Sequence, residues 1–516
     1  MRHKGFHRKL TGLLGVIVIA AGCSSAAVTP VPAASSAAAT SAPTASSAAA
    51  TSASTASSAA VTPVPLNGKT ITWATISGFY TDIATSLAAD YTAKSGTKVN
   101  IVQIDLQSMY DKETLDMAGG TGAYDIVTWN LSWLGQWAGA KWLAPLTDYV
   151  AKNKDALQLG DISPALMQTD SWQGVQYGLP YYTFTQGMFY RCDLFENATE
   201  KANFQAKYGY PLDIPTTYQQ MADQAQFFRR KPGDTLAGQP VTKDFYGIGL
   251  MDGRVNNIFD EANMVAWPMG ADVINDDGTP GVTSQKYEDA LSLVYNKMLP
   301  YAPPGSLSAG YDYVISQFNT GMIAETGPMY LDQWANAVKV ETQVPGAEAC
   351  VAPHPGTGET WSGTFSMGVE ADSKNVSDAE DFLGYLTSPD AQMKFALAGG
   401  STPRTSILTD RTLVDQHRDT MGAFPTLAFI LNDAQNRWYT NFIWVPQAAK
   451  IYNDAPQYFS AAASGQESIS DAMNAFAKDI TSYCGGPCTI DNQGITKPDP
   501  NAKEPIFDRS LQVRKP

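Results

Sequence analysis

A two-lobed α/β fold is predicted by three features of the 516-residue sequence. The first sixty residues after Lys69 alternate strand-like and helix-like patterns, and the roughly 450 residues from Leu66 onward exceed what one simple core accommodates. The third feature is Gly174–Tyr190, an aromatic extended segment too long for one ordinary strand. Broken by Pro180, it suits a chain crossing from one lobe to another.

The chain opens with Arg2, Lys4, Arg8 and Lys9, no acid, and then the apolar run Leu10–Gly22, the charged-then-apolar order of a secretory signal. As a helix that run would reach only about 20 Å, against a hydrocarbon core of roughly 30 Å, so it is not read as a membrane span. It ends in Ala20-Ala21-Gly22-Cys23 and in this resembles the bacterial lipoprotein signal, departing from it at Ala20, where Leu, Val or Ile is usual. The resemblance implies cleavage before Cys23, a lipid on Cys23, and a body held on the outer face of a membrane. Residues 24–65 are almost entirely Ser, Ala, Thr, Pro and Val. They have little to bury and cannot offset their ordering entropy, which predicts a disordered tether. As a coil it would span about 36 Å, and as extended polyproline II about 130 Å.

The body begins with alternation over Lys69–Thr75 (Ile71, Trp73, Thr75), a strand. Thr81–Lys94 places Ile83, Ala84, Leu87, Ala88 and Tyr91 at helical spacing and stops at Gly96. Val99–Gln103 reads as a second strand, Ser108–Ala118 as a second helix and Tyr124–Thr128 as a third strand, giving βαβαβ. Ligands of such open sheets sit beyond the carboxyl ends of strands, here Ser77–Tyr80, Leu106–Tyr110 and Trp129–Ser132. Trp133, Trp137 and Trp142 read mostly as a helix face packed on the sheet, and Asn275–Gly278 as a hairpin turn of the Asp-Gly type.

Loss of the signal's four basic residues takes the net charge from −15 to −19, which disfavours nucleic acid and anionic lipid as partners. The aromatic content suits neutral polar ligands with apolar faces, sugars above all, although most of these rings belong to cores. With Cys23 lipidated, four cysteines remain in an oxidising compartment. Cys484-Gly-Gly-Pro-Cys488 predicts a local disulfide, whereas Cys192 and Cys350 could pair or stay as buried thiols. No metal site is expected, since the mature chain has only His354 and His417 and neither lies near the cysteine pair in sequence.

Several segments, in this order and spacing, resemble the extracellular solute-binding proteins of carbohydrate ABC transporters, the group that includes maltose-binding protein. They are ITWATISGFY, AYDIVTWN, WLAPL with Asp148, GVQYGLPYYTFTQGMFYRCDLFE, DVINDDGTPGVTSQKYEDAL, FNTGMIAETGPMY, SKNVSDAEDFLGYLTSPDAQ, STPRTS and SGQESISDAMNAFAKDI. The family's Tyr-Asn-Lys-Asp is here Tyr190-Arg-Cys-Asp193, Gly321 to Gly327 is about two residues short, and the tail after Tyr483 has no family counterpart. The resemblance implies a type II periplasmic-binding-protein-like fold with the ligand cleft between lobes. It implies an N-terminal lobe of residues 66–183 and about 364–425, a C-terminal lobe of 184–363 and about 426–483, and a tail of 484–516. The crossings are expected near Pro180–Thr185, Gly363–Phe365 and Arg418–Thr426.

For a sugar, aromatic faces stack on ring C–H groups and polar groups hold the hydroxyls. The stacking candidates are Tyr80, Trp129, Tyr182, Trp267, Tyr330, Trp361 and Trp444, with the family position near Tyr330 falling on either Tyr330 or Trp334. Asn130, Thr183, Asp260, Thr364 and Arg404 are the polar candidates. The resemblance further implies no cofactor and no catalysis, a monomer, a carbohydrate ligand and the transmembrane subunits of an ABC permease as partners. A glycoside hydrolase would need a defined carboxylate pair, and no motif singles one out. A binding protein for a polyol or another non-sugar solute keeps every feature of the body.

Overall fold

The structure, a computed structural model, describes residues 65–508 apart from 185, 333, 360–362, 417–422, 438, 496, 498, 500, 501 and 504. The signal, Cys23, all but the end of the tether, Trp361 and most of the third expected crossing lie outside the described residues. No helix among those described is long and apolar enough to cross a membrane.

The first lobe is built as its alternation predicts. Strand β1 (Thr70–Ile76) leads through α1 (Phe79–Ser95) to β2 (Lys98–Ile104), and α2 (Leu106–Gly119) leads to β3 (Ile126–Asn130). Gly96 ends α1 in the left-handed region at φ 77° and donates its N–H to Thr92 O, while Asp105 caps α2 by accepting from Gln107 N. β1 pairs in parallel with β2 and β3, and Trp73 of β1 donates its indole N–H to Thr128 Oγ1 of β3 at 2.8 Å. β3 is buried at every residue because helices cover one face of the sheet and the strands that follow extend its edge.

That extension defines the passage between lobes. β4 (Leu179–Thr183) is an edge strand of the first sheet, and β5 (Gln186–Arg191) is the central strand of a second sheet. The second sheet continues with β6 (Tyr246–Gly249), β7 (Ile323–Thr326), β8 (Met329–Tyr330) and β9 (Ala349–Ala352), all ordered around β5. The chain then returns as β10 (Thr364–Val369), lying antiparallel between β3 and β4 in the first sheet. The long aromatic segment therefore is a short hairpin strand, Val175–Gln176, followed by two strands in the two main sheets, with Phe184 at the step between them. Outgoing and returning chains touch there: Thr364 faces Thr183, and Phe184 N donates to Gly363 O at 3.0 Å.

The register of β9 against β5 sets Cys350 opposite Tyr190, two residues before Cys192, and Cys192–Cys350 is a disulfide. Cys484–Cys488 is the second. The turn at Asn275–Gly278 closes a bridge between Ile274 and Pro280, with Gly278 at φ 81° as an Asp-Gly turn requires. Helix α3 (Asn257–Ala266) is buried from Ile258 onward, and α4 (Ala423–Arg437), α5 (Ala448–Ala463) and α6 (Ile469–Cys484) complete the described helices used below.

Candidate functional site

Where the lobes meet, a row of rings runs from one to the other. Tyr80, at the start of α1, stacks on Tyr182 of β4 with centroids 4.1 Å apart, and Tyr182 stacks on Phe365 of β10 at 5.2 Å. Phe184 meets both Tyr182 (5.9 Å) and Tyr330 of β8 (5.4 Å), and Tyr330 approaches Tyr311 at 6.4 Å. The row is tied across the lobes by the Tyr80 hydroxyl, which donates to Asp332 Oδ2 at 2.7 Å and lies 3.0 Å from the Asp332 carbonyl.

Next to Tyr330 lies a buried carboxyl. Asp260, in the first turn of α3, accepts from the Tyr452 hydroxyl of α5 at 3.0 Å, and the Tyr330 hydroxyl is close enough to lower its pKa. Its other oxygen meets no hydrogen-bond donor among the described residues. Burial raises its pKa to about 7, opposed by the two tyrosine hydroxyls. Burial first, and the neighbouring acid second, push the Tyr330 and Tyr452 hydroxyls well above the usual phenol range, so both stay protonated donors.

A third component comes from two short turns that face each other across the lobes. Asn130, the last residue of β3, accepts from Ser132 N at 3.0 Å and from Ser132 Oγ at 2.9 Å, and so starts the turn Leu131–Trp133. That turn packs against Phe442–Trp444 and against α5 of the other lobe. The indole N–H groups of Trp133 and Trp444 are both buried, and neither meets an acceptor among the described residues. The Trp129 indole N–H is unmade in the same way, and an unmade buried donor costs about 1–3 kcal/mol.

Asn130, Asp260, Tyr330 and Trp444 thus gather at the junction, together with Trp133, Tyr452 and Asp332. Trp133 is packed as expected, against Trp137 at 5.5 Å and Tyr110 at 5.4 Å, whereas no pattern in the sequence singles out Tyr452 or Asp332. Tyr330 rather than Trp334 stands beside Asp260, while Trp334 packs edge-on against Phe424.

Other candidates are placed differently. Both faces of the Tyr182 ring are covered, by Tyr80 and by Phe365, so that ring builds the floor, while Tyr80 stacks on Tyr182 with one face and has Phe395 at 6.0 Å. Trp129 is core: its ring fills the space over Gly178 and Gly368, where a Cβ would come within 2.6 and 2.5 Å of ring carbons, and it meets Trp137 edge-on. Arg404 is fully buried with its guanidinium spent on the carbonyls of Leu157, Gln158 and Thr387 and on Asp161 at 3.3 Å, which makes it a brace within the first lobe. Thr183 and Thr364 are buried at the crossing, bonded to Ser401 Oγ (2.8 Å) and Ser366 Oγ (2.5 Å). Trp267 closes the far end of α3, donates to Asp272 Oδ1 at 3.1 Å, and lines a separate concavity of about 330 Å³ with Asp276, Glu359, Arg437, Tyr439 and Asn441.

Comparison with known proteins settles the family. The model of the bacterial extracellular solute-binding protein family matches residues 80–393, more than half of the chain. The chain belongs to that family. A mannitol-binding protein of Pseudomonas aeruginosa is 24% identical over 294 residues, covering 53% of this chain and 58% of that protein. A relative in Sinorhizobium fredii, described as a probable amino-acid ABC transporter periplasmic-binding protein, is 21% identical over 69% of this chain and 77% of its own. Among solved structures, an ABC transporter solute-binding protein of Agrobacterium radiobacter in complex with ribitol superimposes with a TM-score of 0.68 at 20% identity, covering 81% of this chain and all of that one. One from Agrobacterium vitis with bound D-mannitol gives 0.65 at 24% identity over 81% and 98%, and maltose-bound MalE3 of Thermotoga maritima gives 0.63 at 19% over 80% and 99%. These likenesses establish the two-lobed binding-protein fold for the solute-binding body.

Proposed function

We propose that this protein captures a sugar or sugar alcohol outside the cell between its two lobes and delivers it to the membrane subunits of an ABC importer. The reading rests on one observation above others: donors and acceptors from both lobes converge on one junction beside aromatic rings. Trp133 and Asn130 come from the first lobe, and Asp260, Tyr330, Trp444 and Tyr452 from the second. A ligand held by both sets favours the closed arrangement, because only there do both touch it.

The ionisable side chains of this junction are acids and phenols, which suits a neutral polyhydroxylated ligand over one bearing a carboxylate or phosphate. The ligands named for the mannitol-, ribitol- and maltose-bound relatives agree with that chemistry. The protein acts by binding and release, without turnover, as a monomer. A lipid on Cys23 holds it near its permease, and the 24–65 tether lets the body reach beyond the membrane surface.

A thermal-shift panel of the full chain against D-mannitol, ribitol, maltose, glucose and a set of amino acids tests the ligand class. A bound solute at about a hundred times its dissociation constant adds roughly 2.7 kcal/mol of stability. A shift with an amino acid and with no sugar or polyol overturns the reading. Mass spectrometry of the membrane-extracted protein tests the anchor, and an unmodified Cys23 refutes it.

A further inference from the structure

The described residues just after α6 stay on the body. Cys484–Cys488 closes a small loop, and Cys488 N donates to Gly278 O at 2.7 Å. The docking is tight: a Cβ on Gly278 would stand 2.1 Å from Cys488 O. Asp491 N then donates to the Trp444 carbonyl at 2.6 Å, and Asn492 Nδ2 donates to the Tyr439 hydroxyl at 2.9 Å. Lys497 lies 4.5 Å over the Tyr439 ring and 3.3 Å from Asp276. All of these anchors surround Trp444 and the 275–278 turn of the C-terminal lobe.

The same stretch grips the other lobe. The Asp491 side chain accepts from Gln173 Nε2, and Gly494, at φ 81°, runs against Gly174. Gln173 and Gly174 form the tip of a hairpin pairing Ser171–Trp172 with Val175–Gln176. That hairpin is part of the first lobe, since Trp172 packs on Gly135 and Gln176 O accepts from Leu146 N at 2.7 Å. Residues 488–494 therefore touch both lobes by a route separate from the strands through which the chain crosses.

We propose that Asp491 and the disulfide-closed tail are a clasp that holds the two lobes together beside Trp444, so that opening the cleft requires the Asp491–Gln173 and Gly494–Gly174 contacts to part. The clasp raises the population of closed, unliganded protein and slows release of bound solute. It rests on the reading that the lobes open and close around a ligand, but its effect is measurable with no ligand present. One partly exposed hydrogen bond to a carboxylate shifts an open-to-closed ratio by roughly three- to tenfold.

The test is a double electron–electron resonance measurement on the full, ligand-free chain, spin-labelled at Leu115 and Leu307. These exposed positions lie one on each lobe. Asp491→Ala is expected to raise the long-distance population roughly three- to tenfold over the parent, and Asp491→Asn, which keeps an acceptor oxygen, to restore the parent distribution. Truncation after Gly486 should open the protein at least as far as Asp491→Ala. If the truncated chain does not fold, the two point variants decide. An unchanged distribution in folded Asp491→Ala overturns the clasp, and so does opening in Asp491→Asn equal to that in Asp491→Ala.

Discussion

Replacing Trp129 separates a core ring from a ligand-stacking ring. Its side chain is fully buried at the centre of the first sheet, resting on two glycines whose missing side chains make room for it. Trp129→Ala removes on the order of 200 Å² of buried apolar surface, worth about 5 kcal/mol at about 25 cal/mol per Å². Partial collapse of the cavity leaves a loss of about 3–5 kcal/mol. Trp444→Phe is the milder change, since it keeps a six-membered ring while deleting the indole N–H with the rest of the five-membered ring. Its expected cost is about 1 kcal/mol of binding, a roughly fivefold weaker affinity, with about 1–2 kcal/mol lost from the unfolding free energy for the smaller buried ring. Urea unfolding followed by circular dichroism gives the first quantity and calorimetric titration with the best solute of the panel gives the second. A Trp129→Ala protein as stable as the parent but weakened in binding would refute the placement of Trp129 in the core.

Three other outcomes follow from the same structure. Ligand hydroxyls donating to ionised Asp260 should make binding tighten as pH rises through about 7, and Asp260→Asn should flatten that dependence; a titration series from pH 5.5 to 8.5 checks it. Burial raises Asp170 to about 8 and Glu370 to about 9, so the folded state holds protons that the unfolded chain has released. Stability from these groups is full below about pH 4 and is lost as pH rises toward 8–9, so the melting temperature should be higher at pH 6 than at pH 8.5, with Asp170→Asn reducing the difference. The Cys192–Cys350 disulfide joins residues 158 apart, and the double replacement Cys192→Ala/Cys350→Ala should cost about 3–5 kcal/mol by denaturant unfolding.

Much of the fold could be read because its signals are local. Ile71, Trp73 and Thr75 alternate, the apolar residues of α1 repeat at helical spacing, and Gly96 supplies the left-handed cap, so the βαβαβ unit needed no long-range information. The aromatic run around Pro180 announced a crossing for the same reason. Which rings are free to meet a ligand was not legible. Tyr80 and Tyr182 lie about a hundred residues apart, and only the folded chain shows that they cover each other. Arg404 is held by hydrogen bonds to the carbonyls of 157, 158 and 387 and by Asp161, and the pairing of Cys192 with Cys350 depends on the register of β9 on β5. Trp133 packs as its spacing with Trp137 suggests, 5.5 Å from that ring and 5.4 Å from Tyr110, and only the folded chain shows that its turn lies against Phe442–Trp444.

Isothermal titration of the full chain with D-mannitol, ribitol and maltose, in parallel with amino acids, tests the central claim most directly. Saturable binding of at least one polyhydroxylated solute, weakened about fivefold by Trp444→Phe and carried without chemical change of the solute, is the predicted result. Binding of an amino acid alone, or recovery of a cleaved sugar, would contradict it.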